Sequence, residues 1–241
     1  MQNRKLNIVV IGASGAIGAE FVEQYAKKYD AHIFAFSRSE TTFANTNISS
    51  HFIDIDDEES IKSAAELASR DQSIDIVIVA TGMLHNDRFK PEKSLKELTK
   101  EKFHEIFNVN AVAPAIIIKH FLPKLTKDEQ SIFAALSARV SSISDNHLGG
   151  WYAYRTAKAA LNMILKTASI EINRSNKKAV IVGLHPGTVD SKLSKPFQSF
   201  VKPGKLFTAE FAVSNLIKVL DNVSDKDNGN LYDFNGLKID F

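Results

Sequence analysis

The amino-acid sequence predicts a single α/β domain built around a doubly wound, mostly parallel β-sheet. Three observations support this fold class. Short apolar runs alternate with segments of helical periodicity along the chain, as in successive β-α-β units. The run at residues 74–80, Ile-Asp-Ile-Val-Ile-Val-Ala, has the nearly continuous apolar character of a buried strand. A glycine-containing segment, residues 12–18, joins the first predicted strand to the first predicted helix.

The first half of the chain carries four predicted strands and two predicted helices. The first strand, residues 6–11, is a short and mostly apolar run that ends at Gly12. The helix after it, residues 16–28, has apolar residues at helical spacing, so that they share one face. The elements that follow are strands at residues 32–36 and 51–55, a helix at residues 58–68 and the strand at residues 74–80.

The second half continues the alternation. Residues 103–125 form a long helical stretch that contains Pro114, and we expect a bend or break there because proline removes a backbone hydrogen bond. The remaining elements are strands at residues 131–137, 179–184 and 231–234 and helices at residues 152–173 and 209–222. Since no repeat, low-complexity segment or linker divides the chain, we expect residues 1–241 to form one domain.

The composition argues against nucleic-acid, metal and disulfide chemistry. Of the 241 residues, 44% are hydrophobic and 24% are charged, which is usual for a soluble domain. The net charge is only +2, and the lysines between positions 90 and 102 alternate with glutamates, which favours a solvated helix face over a nucleic-acid patch. No cysteine is present, so disulfides and thiolate catalysis are excluded, and the histidines show no metal-ligand spacing.

The N-terminus and the lack of cysteine predict a location. The apolar run that follows Met1-Gln2-Asn3-Arg4-Lys5 is too short for a signal peptide or a membrane span. A chain without cysteine fits a reducing compartment. We therefore expect a cytoplasmic protein with no membrane partner.

Residues 12–18, Gly-Ala-Ser-Gly-Ala-Ile-Gly, have the arrangement that holds a dinucleotide. Glycines permit a tight turn and let the backbone approach a pyrophosphate, and the N-terminus of the next helix supplies free N–H groups and a partial positive charge. The same pattern can be a plain strand–helix turn. Its place in the first βα turn of an alternating chain favours nucleotide binding.

The residues after the second predicted strand distinguish between two dinucleotides. An NAD site needs a carboxylate for the ribose 2′-hydroxyl, whereas an arginine accommodates the 2′-phosphate of NADP. The sequence here is Phe36-Ser37-Arg38-Ser39, with no acidic residue before Glu40. Arg38, assisted by the hydroxyls of Ser37 and Ser39, predicts NADP(H). The alternative is a surface arginine in a loop.

Tyr154 and Lys158 are the strongest candidates for catalysis. Two residues four apart on a helix share one face, so the lysine charge can act on the phenol, whose usual pKa of about 10 is high for proton transfer at neutral pH. Tyr152 has Thr156 at the corresponding position, which makes Tyr154 the better choice. His185 follows a predicted strand and is either structural or in contact with substrate.

With these features in order, the chain resembles the short-chain dehydrogenase/reductase family over nearly its whole length, and most of all the branch of C-factor-like and sniffer-like carbonyl reductases. The motifs that carry the resemblance, besides the glycine segment, are Asp54-Ile55, Ala80-Thr81-Gly82, Asn108-Val109-Asn110, Tyr154 with Lys158, and Pro186-Gly187-Thr188-Val189. The resemblance implies a Rossmann-type fold with a seven-stranded, mostly parallel sheet.

The resemblance also implies roles for individual residues. Tyr154 protonates the developing alkoxide, Lys158 lowers the phenol pKa and holds the nicotinamide ribose, and a serine stabilises the growing negative charge. Asn110 holds a water that connects Lys158 to solvent, and a kink-stabilising role is compatible with this. The residues implied in binding NADP(H) are Gly12, Ser14, Gly15, Ala16, Ile17, Gly18, Ser37, Arg38, Asp54, Ile55, Ala80, Thr81, Gly82, Asn110, Tyr154, Lys158, Pro186, Gly187, Val189 and Ser191.

Two positions depart from the family pattern. The glycine spacing is three and three, whereas the main pattern has its second glycine at the place of Ala16, and the spacing found here also occurs in an epimerase-like branch of longer chains. The family usually has a serine pair after this strand, and Ala138 takes the place of the second serine in a gapless alignment. Ser137 is the first choice for the catalytic serine, with Ser141 and Ser142 as alternatives.

Three segments, residues 83–89, 145–151 and 191–207, are expected to surround a small-molecule carbonyl or alcohol substrate. The predicted function is NADPH-dependent reduction of a carbonyl, catalysed by Tyr154, Lys158, Ser137 and Asn110. The alternatives are an NADP-binding signalling protein with little turnover and an epimerase or dehydratase. A homodimer or homotetramer through the helices at residues 99–125 and 152–173 is expected, with Ala157 and Met163 among the candidate contacts.

Overall fold

The centre of the fold is a mostly parallel sheet, seen in a computed structural model that describes residues 5–241. Residues 1–4 belong to the N-terminal segment from which a cytoplasmic location is predicted, and they lie outside the described residues. The strands are β1 (Leu6–Ile11), β2 (Ala31–Ser37), β3 (Ile48–Phe52), β4 (Ile76–Val79), β5 (Ser131–Leu136), β6 (Ala179–His185), β7 (Thr188–Val189), β8 (Leu206–Phe207), β9 (Asn230–Asp233) and β10 (Lys238–Ile239). The main sheet has the order β10-β9-β6-β5-β4-β1-β2-β3.

This architecture confirms the predicted doubly wound α/β class. Seven strands of the main sheet run parallel, as expected, and β10 adds an eighth that pairs with β9 in the antiparallel sense. A second, two-stranded sheet pairs β7 with β8. The three strands β7, β8 and β10 have only two residues each, which is too short to show a periodicity in the sequence.

Helices cover both faces of the sheet. The α-helices among residues 5–241 are α1 (Ala16–Lys28), α2 (Glu58–Ala68), α3 (Lys100–Phe107), α4 (Ala113–Phe121), α5 (Tyr152–Ile172) and α6 (Ala209–Asn222). Alternate residues of β1 point to opposite faces, so that Ile8 joins the core beneath α1 and α6 while Val9 joins the core beneath α2, α4 and α5.

Two predicted elements differ from the structure. The third strand is Ile48–Phe52 and not residues 51–55, because it is an edge strand of mixed polarity whose apolar signal comes from Ile53 and Ile55 beyond its end. Pro114 does not break its helix. The chain stays helical through Pro114, and the irregularity appears just before it as a π-helical turn, Asn108–Val112, in which the N–H of Ala113 donates to the carbonyl of Asn108.

The continuous helix from Lys100 to Lys124 is, among the described helices, the one that is long and apolar enough to cross a membrane. Half of its apolar window is buried within the domain, where α4 contributes Ile117 and Phe121 to the core. The helix therefore has the burial of a core helix.

Candidate active site

The carboxyl ends of the central parallel strands meet at one edge of the sheet and border a cavity of about 610 Å³. In open α/β sheets ligands bind at this edge, close to the place where the strand order reverses. Here the order reverses between β1 and β4. The strands β2 and β3 lie on one side of β1 in the sheet, and β4, which comes next along the chain, lies on the other side. The cavity lies directly at that point.

The glycine segment forms one wall of the cavity. Gly12 has a φ of +94°, a backbone conformation that residues with a side chain rarely adopt. A Cβ atom on Gly18 would lie 2.2 Å from the carbonyl oxygen of Gly12, so only glycine lets α1 approach β1 this closely. No side chain caps α1 at Gly15, which leaves the N–H groups of its first turn to a ligand. Residues 14–17 line the cavity.

Tyr154 and Lys158 also line the cavity, one turn apart on α5. The side chain of Tyr154 is 8% exposed and that of Lys158 is 2% exposed. The Lys158 Nζ is 5.8 Å from the centre of the Tyr154 ring and donates a hydrogen bond of 2.8 Å to the carbonyl oxygen of Leu136. The predicted common face is confirmed.

Burial controls the ionisation of this pair. It raises the pKa of the Tyr154 phenol and lowers the pKa of the Lys158 ammonium to about 7, since both charged forms lose hydration. Burial therefore acts against the lowering of the phenol pKa that the resemblance implies for Lys158. At neutral pH Tyr154 is protonated, which is the state that a hydrogen donor needs.

One of the three candidate serines reaches the cavity. Ser137, directly after β5, lines it together with Ala138, whereas Ser141 and Ser142 are buried behind this wall. The Ser137 hydroxyl donates to the side-chain oxygen of Asn162, 2.7 Å away. The structure thus favours Ser137 over the two alternatives.

Asn110 lies behind the cavity and not in its wall. Its side chain is fully buried in the π-helical turn and donates to the carbonyl oxygens of Met83 and Ile106, at 2.7 and 2.8 Å. Its side-chain oxygen accepts from the N–H of Met83 at 3.2 Å. A Cβ atom on Gly82 would contact both this oxygen and the Nζ of Lys158, at 3.4 and 3.6 Å. Asn110 therefore positions the loop after β4.

Four of the residues predicted to bind NADP(H) lie at the same sheet edge but do not line the cavity: Ser37, Arg38, Asp54 and Ile55. Ser37 ends β2, and Asp54 and Ile55 follow β3. Arg38 is 72% exposed, and its guanidinium lies 3.9 Å from the carboxylate of Asp56. An exposed arginine at the end of β2 is free to turn towards an anionic group.

The three segments predicted to surround a substrate all contribute to the cavity. Met83, Leu84 and His85 come from the first segment, Trp151 from the second, and Ser191, Leu193 and Phe197 from the third. The Phe197 ring is 5.1 Å from that of Trp151 and 5.7 Å from that of His85. Trp151 has a φ of +54°, and it is the one non-glycine residue with a positive φ among residues 5–241.

His185 and the loop after β6 close the remaining side. His185 lines the cavity beside Pro186, Gly187 and Val189, and its Nδ1 is buried without a hydrogen-bond partner. Burial, assisted by the nearby Arg139 guanidinium, lowers its pKa to about 4, so the imidazole is neutral at physiological pH.

Sequence reasoning missed two residues that support the site. Asn162, four residues after Lys158, lies on the same face of α5 and holds Ser137. This spacing was the available signal. Glu92 is buried below the start of α5, where its carboxylate accepts from the N–H of Ala153 at 3.3 Å and its carbonyl oxygen accepts from the N–H of Trp151 at 2.5 Å. No periodicity marks such a contact between a loop and a distant helix end.

Comparison with known proteins identifies the family and agrees with the fold. A family model described as short chain dehydrogenase matches residues 6–202. The C-signal of Myxococcus xanthus is 29% identical over 133 residues, which are 55% of this chain and 75% of that protein. An NADPH-bound carbonyl reductase from chicken fatty liver has a TM-score of 0.84 at 23% identity, and the carbonyl reductase Sniffer of D. melanogaster has 0.85 at 19% identity. Each superposition covers 99% of this chain and 100% of the other.

Proposed function

Because the chain belongs to the short-chain dehydrogenase family, we propose that it is an NADPH-dependent oxidoreductase that reduces an aldehyde, ketone or quinone to the alcohol. One observation carries this proposal. The buried pair Tyr154 and Lys158 faces the same cavity as the open N-terminus of α1, so a proton donor and a phosphate-binding turn serve one ligand space. Solved carbonyl reductases of the same fold support it.

The chain's residues fit a dinucleotide. The uncapped first turn of α1 suits a pyrophosphate, and Arg38 suits the 2′-phosphate that distinguishes NADPH from NADH. The loop of residues 80–82 and that of residues 186–191 contribute to the same cavity as the glycine segment and Tyr154. We assign these two loops to the nicotinamide end, with Ser191 bonding the carboxamide. The cofactor, when bound, supplies the hydride.

The chemistry of the protein itself is then proton donation from a buried phenol. The buried, protonated phenol of Tyr154 donates to the carbonyl oxygen as negative charge develops there. Lys158 lies one turn further along α5, and burial lowers its pKa to about 7, so both its charged and its neutral form are accessible near neutral pH. Ser137 is assigned to the same side of the site, and Asn110 keeps the loop that follows Gly82 in place.

The other expectations remain proposals, with one correction. We propose a homodimer or homotetramer in the cytoplasm, and Met163, which is exposed on α5, is available for such a contact. Ala157 is not, because it is completely buried in the core around Tyr154.

The test is NADPH consumption with a panel of aldehydes, ketones, diketones and quinones. Turnover should fall by about 100-fold or more in Tyr154→Phe, as expected for loss of a general acid. Tyr152→Phe, a phenol two residues earlier on α5, is the matched control and should keep its turnover. NADPH binding without any turnover would reject the proposal and favour the alternative of an NADP-binding signalling protein, an alternative that the similarity to a protein named C-signal supports.

A further inference from the structure

A chain of three buried side chains lies behind the substrate wall of the cavity. Ser141 donates from its hydroxyl to the carbonyl oxygen of Ala138, at 2.6 Å. The Asn162 side-chain amide joins Ser141 to Ser137, with distances of 2.7 Å on both sides. All three side chains are at most 4% exposed.

The chemistry of these groups determines which atom donates and which accepts in each of these hydrogen bonds. A carbonyl oxygen only accepts, so Ser141 must give its single proton to Ala138. The Asn162 atom that faces Ser141 must then be a donor, which is the NH₂ group. The amide oxygen of Asn162 consequently faces Ser137, and Ser137 must donate to it. This reasoning does not depend on how the oxygen and nitrogen of the amide are assigned.

We propose that Asn162 is a positioning residue that holds the proton of Ser137 away from the cavity, so that Ser137 presents only its oxygen lone pairs to the substrate. The consequence for catalysis rests on the function proposed above. Of the Ser137 and Tyr154 hydroxyls, only that of Tyr154 then donates to the carbonyl oxygen of the substrate. This differs from the donor role that the family resemblance implies for the serine.

An acceptor at this place suits the alcohol better than the carbonyl compound. The alcohol has an O–H that can donate to the Ser137 oxygen, whereas a carbonyl oxygen and a hydroxyl lone pair repel each other. Ser137 therefore favours the hydroxyl form of the substrate, and Tyr154 favours the developing alkoxide. Ser137 thus accepts a hydrogen bond from the alcohol, and Tyr154 donates one to the developing alkoxide.

The hydrogen-bond direction can be measured without turnover. In a labelled sample of this 26.7 kDa protein, the side-chain NH₂ protons of Asn162 should show nuclear Overhauser effects to the Hβ protons of Ser141 and not to those of Ser137. Ser141→Ala should shift the NH₂ resonance. Contacts to the Ser137 Hβ protons instead would show that the amide is reversed and would overturn the proposal.

Kinetics test the consequence for catalysis. Ser137→Ala should lower kcat/KM for carbonyl reduction less than about fivefold, whereas removal of a donor to a developing oxyanion costs about 100- to 1,000-fold. In a Ser141→Ala background the side-chain amide of Asn162 can rotate by 180°, so that the Ser137 hydroxyl no longer has to donate to it. In that background Ser137→Ala should lower kcat/KM at least about tenfold. A loss of 100-fold or more in the single Ser137→Ala variant contradicts the proposal.

Ser142→Ala is the matched control, since Ser142 is equally buried but bonds to Ser144 and Asp145 outside this chain of side chains. It should not change the cost of Ser137→Ala. If the wild-type protein shows no turnover at all, the proposed function fails while the resonance measurement still decides the direction of the protons.

Discussion

Replacement of Lys158 by methionine should stabilise the ligand-free protein at neutral and acidic pH. Methionine has a similar length and no charge, and Lys158 is 2% exposed. The Nζ has a hydrogen bond to the carbonyl oxygen of Leu136, and no carboxylate ion pair is formed by it in the described part of the chain. The ammonium therefore loses its hydration with little compensation.

The size of the effect follows from the pKa. Burial lowers the pKa of Lys158 from its usual 10.5 to about 7, and at about 1.4 kcal/mol for each pH unit this corresponds to about 5 kcal/mol of unfavourable burial for the charged form. Methionine removes that cost but leaves the carbonyl of Leu136 without its donor, at about 1–3 kcal/mol. The net gain in the free energy of unfolding should be about 2 kcal/mol or more near pH 6.

The gain should depend on pH with a definite sign. Between about pH 7 and 10.5 the unfolded chain holds a proton on Lys158 that the folded protein has lost, so the stability of the wild type rises as the pH rises through this window. The methionine variant lacks this titration. Its advantage should therefore shrink with increasing pH and disappear towards about pH 10.

The assay is urea unfolding of the wild type and Lys158→Met without cofactor, at about pH 6 and at about pH 9.5. Lys177→Met, which removes an exposed lysine, is the control and should change the free energy of unfolding by less than about 0.5 kcal/mol at either pH. A methionine variant that is less stable than the wild type at both pH values, or whose difference from it does not change with pH, would refute the reasoning.

Three further changes test the geometry of the site. Gly18→Ala should prevent stable folding, as its Cβ would meet the Gly12 carbonyl at 2.2 Å, whereas Gly15→Ala, with 3.4 Å to the same oxygen, should fold with a near-native melting temperature. The free energy of unfolding of Trp151→Gly, measured by chemical denaturation, should be about 1 kcal/mol higher than that of Trp151→Ala, because a φ of +54° suits glycine. Equal free energies of unfolding would contradict backbone strain at this residue. Arg38→Asp should lower the NADPH-to-NADH ratio of kcat/KM at least about tenfold in steady-state assays, and an unchanged ratio would exclude Arg38 from the 2′-phosphate site.

Much of the fold could be predicted from local patterns. The central strands are continuous apolar runs, and the helices between them have apolar faces at helical spacing, so their order and type follow from periodicity alone. The edge strand Ile48–Phe52 differs from the predicted range because all five of its residues are at least partly exposed and its composition is mixed. The two-residue strands β7, β8 and β10 exist only through pairing with other segments.

The site divides in the same way. The sequence by itself determined the glycine turn after β1 and the common face of Tyr154 and Lys158, because both depend on residues within one or two turns of chain. Three other features follow only from the tertiary structure: Ser137 reaches the cavity, burial lowers the pKa of Lys158 to about 7, and Asn162 accepts a hydrogen bond from Ser137. Hydration and proton direction depend on which distant segments surround a group, and that information is present only after the chain has folded.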